Sequence, residues 1–328
     1  MSAVEAAPGR RLLVDGVDRD ASDEAVAALL ADPAAGFLWL DIAAGDEGNR
    51  RLLSEVFGFH PLAVEDADHF GQRPKIEDFD DHVYLVAFGA AGPGDEDGLA
   101  EVHLFHSGRY LVSVHCDLCP ALDAVRRRAL AHPPDGTGVR LLHRVLDELA
   151  DSFFPVLDEV DARIIELEQT LDEQRSEAGT HQQIFDLRRR LVAIRRVVAP
   201  ARDQMARIVS GSVTIPGMED LDWRYFRDIE DHLIRMTDAL DSQRDLLAGL
   251  TDVHLSTMSN RLNVVMKQLS VVAGVFLPLT FLTGFFGQNF PWMVEHVGGM
   301  AAFLVLGIGL QLASVAGLLY WFRRRGWI

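Results

Sequence analysis

The chain has 328 residues, with 49 acidic against 31 basic side chains and a formal net charge of −18. That balance excludes a nucleic-acid partner bound through charge, which needs a basic footprint, and it favours cations through the summed negative field. Hydrophobic residues make up 48% of the chain, but they crowd into its C-terminal stretch, and what precedes that stretch reads as a charged, soluble protein.

Met1 to Gly16 carries Glu5, Arg10, Arg11 and Asp15 and has no apolar h-region, so no secretory signal is expected there. Candidate strands then occur at Arg11–Val14, Phe37–Ile42, Val83–Phe88, Glu101–His106 and Arg109–His115, with helical stretches at Ser22–Leu30 and Glu47–Phe57. Ser22 is followed three residues later by Ala25 rather than Glu, an incomplete capping box. Gly92–Gly98, Gly-Pro-Gly-Asp-Glu-Asp-Gly, reads as a solvated turn between two strands. The alternation predicts an α/β cytosolic domain over residues 1–138. Cys116 and Cys119 form a lone C-x-x-C with no second pair or H-x₃-H to complete a tetrahedral metal site, and two cysteines suit a reducing cytosol.

From about residue 139 the period becomes helical. Leu142, Leu146, Leu149, Phe153, Val156, Val160, Ile164, Leu167 and Leu171 step by three and four, and Ile184, Leu187, Leu191 and Ile194 repeat the pattern. A third helix starts near Asp222 with Phe226, Ile229, Leu233, Met236 and Leu240 on one stripe. Such seams predict a helical stalk or bundle over 139–263. No proline intervenes between Pro216 and Pro278, so the third helix is expected to run unbroken to Phe286, about 97 Å at helical rise.

Leu269 to Gly287 is a 19-residue run without a charge, and Val297 to Phe322 is a 26-residue run whose strongly polar side chain is Gln311. Each is long enough to cross a hydrocarbon core of about 30 Å. Residues 264–328 are therefore read as a transmembrane hairpin, with spans at about 267–287 and 298–322. Arg261 and Lys267 precede the first span and Arg323, Arg324 and Arg325 follow the second, whereas Gly287 to His296 has neither Lys nor Arg. The positive-inside rule places both termini in the cytoplasm. Trp292, Tyr320, Trp321 and Trp327 sit where interfacial aromatics are favoured.

Four segments in order carry a resemblance: Phe59-His60-Pro61-Leu62-Ala63-Val64-Glu65-Asp66 with Gln72-Arg73-Pro74-Lys75-Ile76-Glu77; Tyr225-Phe226-Arg227-Asp228 with Asp231-His232; Ser259 to Lys267; and Phe286-Gly287-Gln288-Asn289-Phe290. Together they resemble the CorA family of magnesium and cobalt channels over nearly the whole chain. The resemblance implies a funnel-shaped homopentamer in the cell membrane that carries Mg²⁺, with Co²⁺ or Ni²⁺ as further cargo, driven by the membrane potential and gated by cytosolic divalent cations. The family's usual tripeptide is Gly-Met-Asn; Gln288 here occupies the middle, and the related ZntB zinc transporters also vary at that position.

The resemblance implies that Gly287, Gln288 and Asn289 form the selectivity filter. Magnesium gives up water reluctantly, so neutral oxygens that hydrogen-bond its hydration shell suit a first site. Asn263, Met266, Ser270, Gly274, Leu277, Thr280 and Gly284 fall on one face of the first span by i+3/i+4 steps. Small and hydroxyl residues on such a stripe line a pore or pack helices closely, and the resemblance favours the pore, with Met266, Leu269 and Leu277 as apolar constrictions. Glu295, the outer loop's carboxylate, is assigned to the entrance. Asp228 matches the family's stalk-helix sensor carboxylate, with Asp78, Asp80 and Asp81 as candidate partners across subunits.

Two other functions remain open from the residues: a proton-coupled Zn²⁺ carrier of the ZntB type, and a membrane-tethered regulatory protein that conducts nothing. An enzyme is not expected, since no G-x-S-x-G, H-E-x-x-H or nucleotide-binding glycine loop is found.

Overall fold

The computed structural model describes residues 9–91, 98–116, 118–132, 138–172 and 179–327. The turn expected over 92–98 lies, except for Gly98, outside them. The described residues form two compact units, 1–250 and 251–328.

The first unit begins with β1 (Arg10–Val14), β2 (Val17–Arg19), α1 (Asp23–Ala31), β3 (Leu38–Ala43), α2 (Glu47–Arg51) and α3 (Pro61–Asp68). A π-helical turn, Leu52–Val56, extends α2. Strands β4 (Lys75–Asp78), β5 (Val83–Ala90), β6 (Leu99–His106) and β7 (Tyr110–His115) follow. They make one seven-stranded sheet ordered β2-β1-β3-β7-β6-β5-β4, antiparallel throughout except where β3 runs parallel to β7. The five expected strands are all present. Ser22 caps α1 despite its incomplete box, accepting from the Ala25 amide, with Asp23 and Glu24 in the first turn.

Strand alternation sends side chains to two faces. Leu12, Leu38, Leu40, Ile42, Val112 and Phe105 join one buried cluster with Leu52, Leu53 and Val64 from the first helices. Leu13, Trp39, Leu111, Leu104 and Leu85 face the other way. They share a core with α4 (Pro120–Ala131), α5 (Gly138–Asp151), α6 (Phe154–Asp172), α7 (Thr180–Val209) and the start of α8 (Trp223–Phe286). The sheet thus gives way to helices after β7, and sheet and helices share one continuous core. The stripe from Leu142 to Leu171 is buried except at the half-buried Val156, yet it spans two helices, interrupted at Ser152–Phe153. Ser152 Oγ there accepts from the Ala90 amide at 2.7 Å, tying the break to β5.

Several buried polar groups are paired across the sheet. Trp39 Nε1 donates to Ser113 Oγ (3.1 Å), which donates to Asp41 (2.6 Å). The Gln72-Arg73-Pro74 segment is latched to β6: Glu101 accepts from the Gly71 and Gln72 amides at 2.6 and 3.2 Å, while Lys75 pairs with Asp66 and Glu77. Burial works against the Glu101 carboxylate, but His103 and those two amides hold it below its usual range. His106 Nε2 meets the Pro216 carbonyl at 3.1 Å, and burial lowers its imidazolium to about 4. Cys116 and Cys119 are not disulfide-bonded, and burial pushes the Cys119 thiol up to about 11, away from the reactive thiolate.

The second unit holds the end of α8, then α9 (Pro291–His296), α10 (Met300–Ala302) and α11 (Leu310–Arg324), with a π-helical segment, Phe303–Gly309, joining the last two. Among the described residues, two helices are long and apolar enough to cross a membrane, Trp223–Phe286 and Met300–Arg324. Pro278 inside α8 removes one amide donor and crowds the carbonyl four residues earlier, that of Gly274. A Cβ on Gly274 would lie 3.0 Å from the Phe322 ring, so the glycine admits α11 at close range. Lys267 Nζ donates to the Gly326 carbonyl at 2.7 Å, fastening the start of the first span to the basic tail.

Candidate functional site

In the second unit the charge-free end of α8 closes at Phe286 on a last α-type bond and a tighter i→i−3 bond. Gly287 N–H donates to Thr283 O at 2.9 Å and Gln288 N–H to Phe285 O at 3.3 Å. A Cβ at position 287 would stand 2.8 Å from Thr283 O, so the turn is built for glycine. Gln288 and Asn289 follow it, exposed, and border a recess of about 340 Å³ whose other walls include Met293, Gly299 and Phe303. The carbonyl end of a helix is its negative end, and the turn adds neutral amide side chains to it. The segment expected as an outer loop contains α9. His296 stacks on Trp292 with ring centroids 4.9 Å apart, and Glu295 is exposed on the same short helix.

Along α8 the half-buried positions Val271, Gly274, Val275, Pro278, Leu279, Leu282 and Phe286 mark the face turned to the second span. Asn263, Met266, Ser270, Leu277, Thr280 and Gly284 lie on another face, and Met266 and Leu277 are 58% and 72% exposed. Gly274 sits at the border: its contact with Phe322 is close helix packing. The hydroxyls of Ser270 and Thr280 donate to the carbonyls of Met266 and Phe276. This satisfies them in an apolar setting while leaving their lone pairs available.

The first unit holds a second arrangement. Asp147 and Asp151 are one turn apart on α5, and Asp228 and His232 one turn apart on α8. His232 Nδ1 is 2.7 Å from Asp151 Oδ1 and 4.0 Å from Asp147 Oδ1, while its Nε2 is 3.9 Å from Asp228 Oδ2. One ligand atom each from Asp147, Asp151 and His232 lie within 4.8 Å of one another. Asp147 Oδ1 is buried with no hydrogen-bond partner. Burial, and then the neighbouring Asp151 carboxylate, raise Asp147 to about 6 against the pull of His232. Three carboxylates around one imidazole lack positive charge, and the donor set fits a divalent cation held by oxygen and one nitrogen.

Asp228 therefore approaches His232 within the chain, on the side of the imidazole opposite Asp151. Asp78, Asp80 and Asp81 stand exposed at the β4–β5 hairpin, where Asp81 pairs with His82 at 2.6 Å. Asp147 and Asp151 escaped the sequence reading; their signal is an i,i+4 acid pair matched by the i,i+4 Asp228/His232 pair. His232, quoted above only as part of a segment that carries the resemblance, makes its close contact with Asp151 on another helix.

A family model described as CorA-like Mg²⁺ transporter protein matches residues 34–324. The cobalt/magnesium transport protein CorA of Thermotoga maritima is 32% identical over 281 residues, covering 84% of this chain and 79% of that protein. The zinc transport protein ZntB of Yersinia enterocolitica is 29% identical over 260 residues, covering 78% and 77%. The solved structure of the CorA magnesium transporter from Methanocaldococcus jannaschii superposes with a TM-score of 0.83 at 19% identity, covering 98% of this chain and 99% of that one.

Proposed function

We propose that this chain, which belongs to the family of CorA-like Mg²⁺ transporter proteins, assembles as a homopentamer in the cell membrane and conducts Mg²⁺ inward between its copies of α8. Both termini face the cytoplasm in this reading. The observation that carries it is the uncharged Gly287-Gln288-Asn289 turn closing a charge-free membrane helix. A ring of such turns offers amide oxygens and helix carbonyl ends to a cation that keeps its waters. Glu295 raises the local cation concentration at the entrance. Behind the ring, Gly284, Thr280, Leu277, Ser270, Met266 and Asn263 line the path, with Gly274 at its edge against the second span. The methionine and leucine positions form constrictions that close by dewetting.

A divalent ion entering through 100 mV gains about 4.6 kcal/mol, twice the roughly 2.3 per elementary charge. That supports uptake without nucleotide hydrolysis. Asp147, Asp151 and His232, with Asp228, would hold a regulatory divalent cation, which would supply the positive charge these side chains lack. Asp78, Asp80 and Asp81 remain candidates for contacts to a neighbouring subunit.

One observation favours a second cargo: Gln288 departs from the Gly-Met-Asn pattern, and the ZntB protein aligned over 78% of this chain is a zinc transport protein. Uptake by proteoliposomes separates the readings. Mg²⁺ or Co²⁺ entry that follows the membrane potential and ignores a proton gradient supports the channel. Zn²⁺ entry that collapses without the proton gradient supports the carrier, and vesicles inert to all three support a regulatory protein.

A further inference from the structure

Gln311 is the strongly polar side chain of the second span. An amide facing lipid leaves donors and acceptors without partners, so its place in the helix matters. Its Nε2 donates to Thr283 Oγ1 on α8 at 3.0 Å, and the Thr283 hydroxyl donates onward to Leu279 O at 2.8 Å. The backbone carbonyl of the same Thr283 receives Gly287 N–H at 2.9 Å, the last i→i−4 bond before the Gly287-Gln288-Asn289 turn leaves the helix. Thr283 is thus a node, reached from the second span on one side and supporting the turn on the other.

Gln311 reaches α8 because of what precedes it. The π-helical segment Phe303–Gly309 ends two residues earlier. A π turn holds one residue more than an α turn, so every later side chain is set back by roughly 100° around the axis. In an unbroken α-helix that face would fall to the preceding position, Leu310, which is 41% exposed where it now stands.

We propose that Gln311 is a positioning residue for the ion path: through Thr283 it fixes the depth and rotation of the filter turn against the second span, and so sets which hydrated cation the turn fits best. This rests on the channel reading for its consequence, though not for its geometry.

The test uses the full chain in nanodiscs and proteoliposomes, with Gln311→Leu removing the donor and Thr283→Val removing the acceptor at nearly constant volume. Amide hydrogen exchange over residues 284–289 is expected to speed up about tenfold in either variant, since the interhelical tether beside the turn is lost. In vesicles, the Mg²⁺-to-Co²⁺ ratio of half-saturating concentrations is expected to shift about fivefold, with maximal uptake changed less than about twofold. The double variant is expected to match the singles, as for two ends of one bond. Thr283→Ser, which keeps the acceptor, is expected to restore the wild-type ratio. Unchanged exchange in both single variants overturns the proposal whether or not the vesicles transport. Effects that multiply in the double variant overturn it too. Wild-type vesicles that carry no divalent cation reject the channel reading, while accelerated exchange in the variants would still uphold the tether.

Discussion

Replacing Asp147 by Asn should stabilise the cation-free protein at neutral pH and abolish most of its stabilisation by divalent cations. Asp147 titrates near 6 in the folded chain against an ordinary value of 3.8. Its raised value means that the folded state holds the proton more tightly than the unfolded state. The associated stability is fully present below about pH 4 and is lost as pH rises through 6. A shift of about two units corresponds to about 3 kcal/mol at 1.36 per unit. The side chain is 32% exposed, so screening reduces this to about 1–2 kcal/mol. Asn carries no charge, so the variant avoids that loss, and its melting midpoint at pH 7.5 in chelator is expected to rise by about 2–6 °C. At pH 4.5 the difference should be smaller. Added Mg²⁺ reverses the order: at a hundredfold excess over its dissociation constant the cation stabilises the wild type by about 2.7 kcal/mol, and the variant, with one carboxylate fewer, gains much less. Thermal unfolding of the detergent-solubilised chain, with and without Mg²⁺ at both pH values, reads all four quantities. Equal Mg²⁺-induced shifts in wild type and variant would refute the cluster as a cation site. A variant less stable than wild type in chelator at pH 7.5 would refute the charge argument itself.

Gly287→Ala forces a Cβ to within 2.8 Å of Thr283 O, so vesicle uptake is expected to fall at least about tenfold with assembly retained by size-exclusion chromatography. Asn289→Asp exchanges a neutral oxygen for a charge; half-saturation should fall while maximal uptake drops about tenfold, because release slows. His106 is held neutral by burial, its imidazolium lowered to about 4. The folded state then binds fewer protons than the unfolded one, and stability should decline as pH falls from about 6.5 toward 4. His106→Leu should flatten that decline in a melting-temperature series, less a constant cost for the lost bond to Pro216.

Local rules made five of the seven sheet strands and both spans readable, and marked Ser22 ahead of α1 although its box is incomplete. Each depends on spacing within a short window: alternation at Leu38 to Ile42, helical period around Phe226 to Leu240, length without charge from Leu269 onward. Strand β4 was hidden because Lys75-Ile76-Glu77-Asp78 buries one side chain and draws its order from β5. The division between α5 and α6 was hidden because Leu149, Phe153 and Val156 keep the apolar step across it. The acidic cluster needed α5 and α8 side by side, and neither Asp147 nor Asp151 differs in sequence from a solvated acid. Gln311 was visible as a polar residue in an apolar run. Its partner was not, since a π-helical segment sets its direction and no side-chain pattern in Phe303–Gly309 announces one.

The most direct test of the account asks whether water reaches one face of α8 through the bilayer. With Cys116 and Cys119 replaced by Ala, single cysteines at Leu277→Cys, Thr280→Cys and Gly284→Cys are compared with Leu279→Cys and Leu282→Cys, which face the second span. A membrane-impermeant thiol reagent should block Mg²⁺ uptake at the first three positions and leave the last two untouched. Uniform reactivity around the helix, or none at Leu277, Thr280 and Gly284 in vesicles that still take up Mg²⁺, would contradict it.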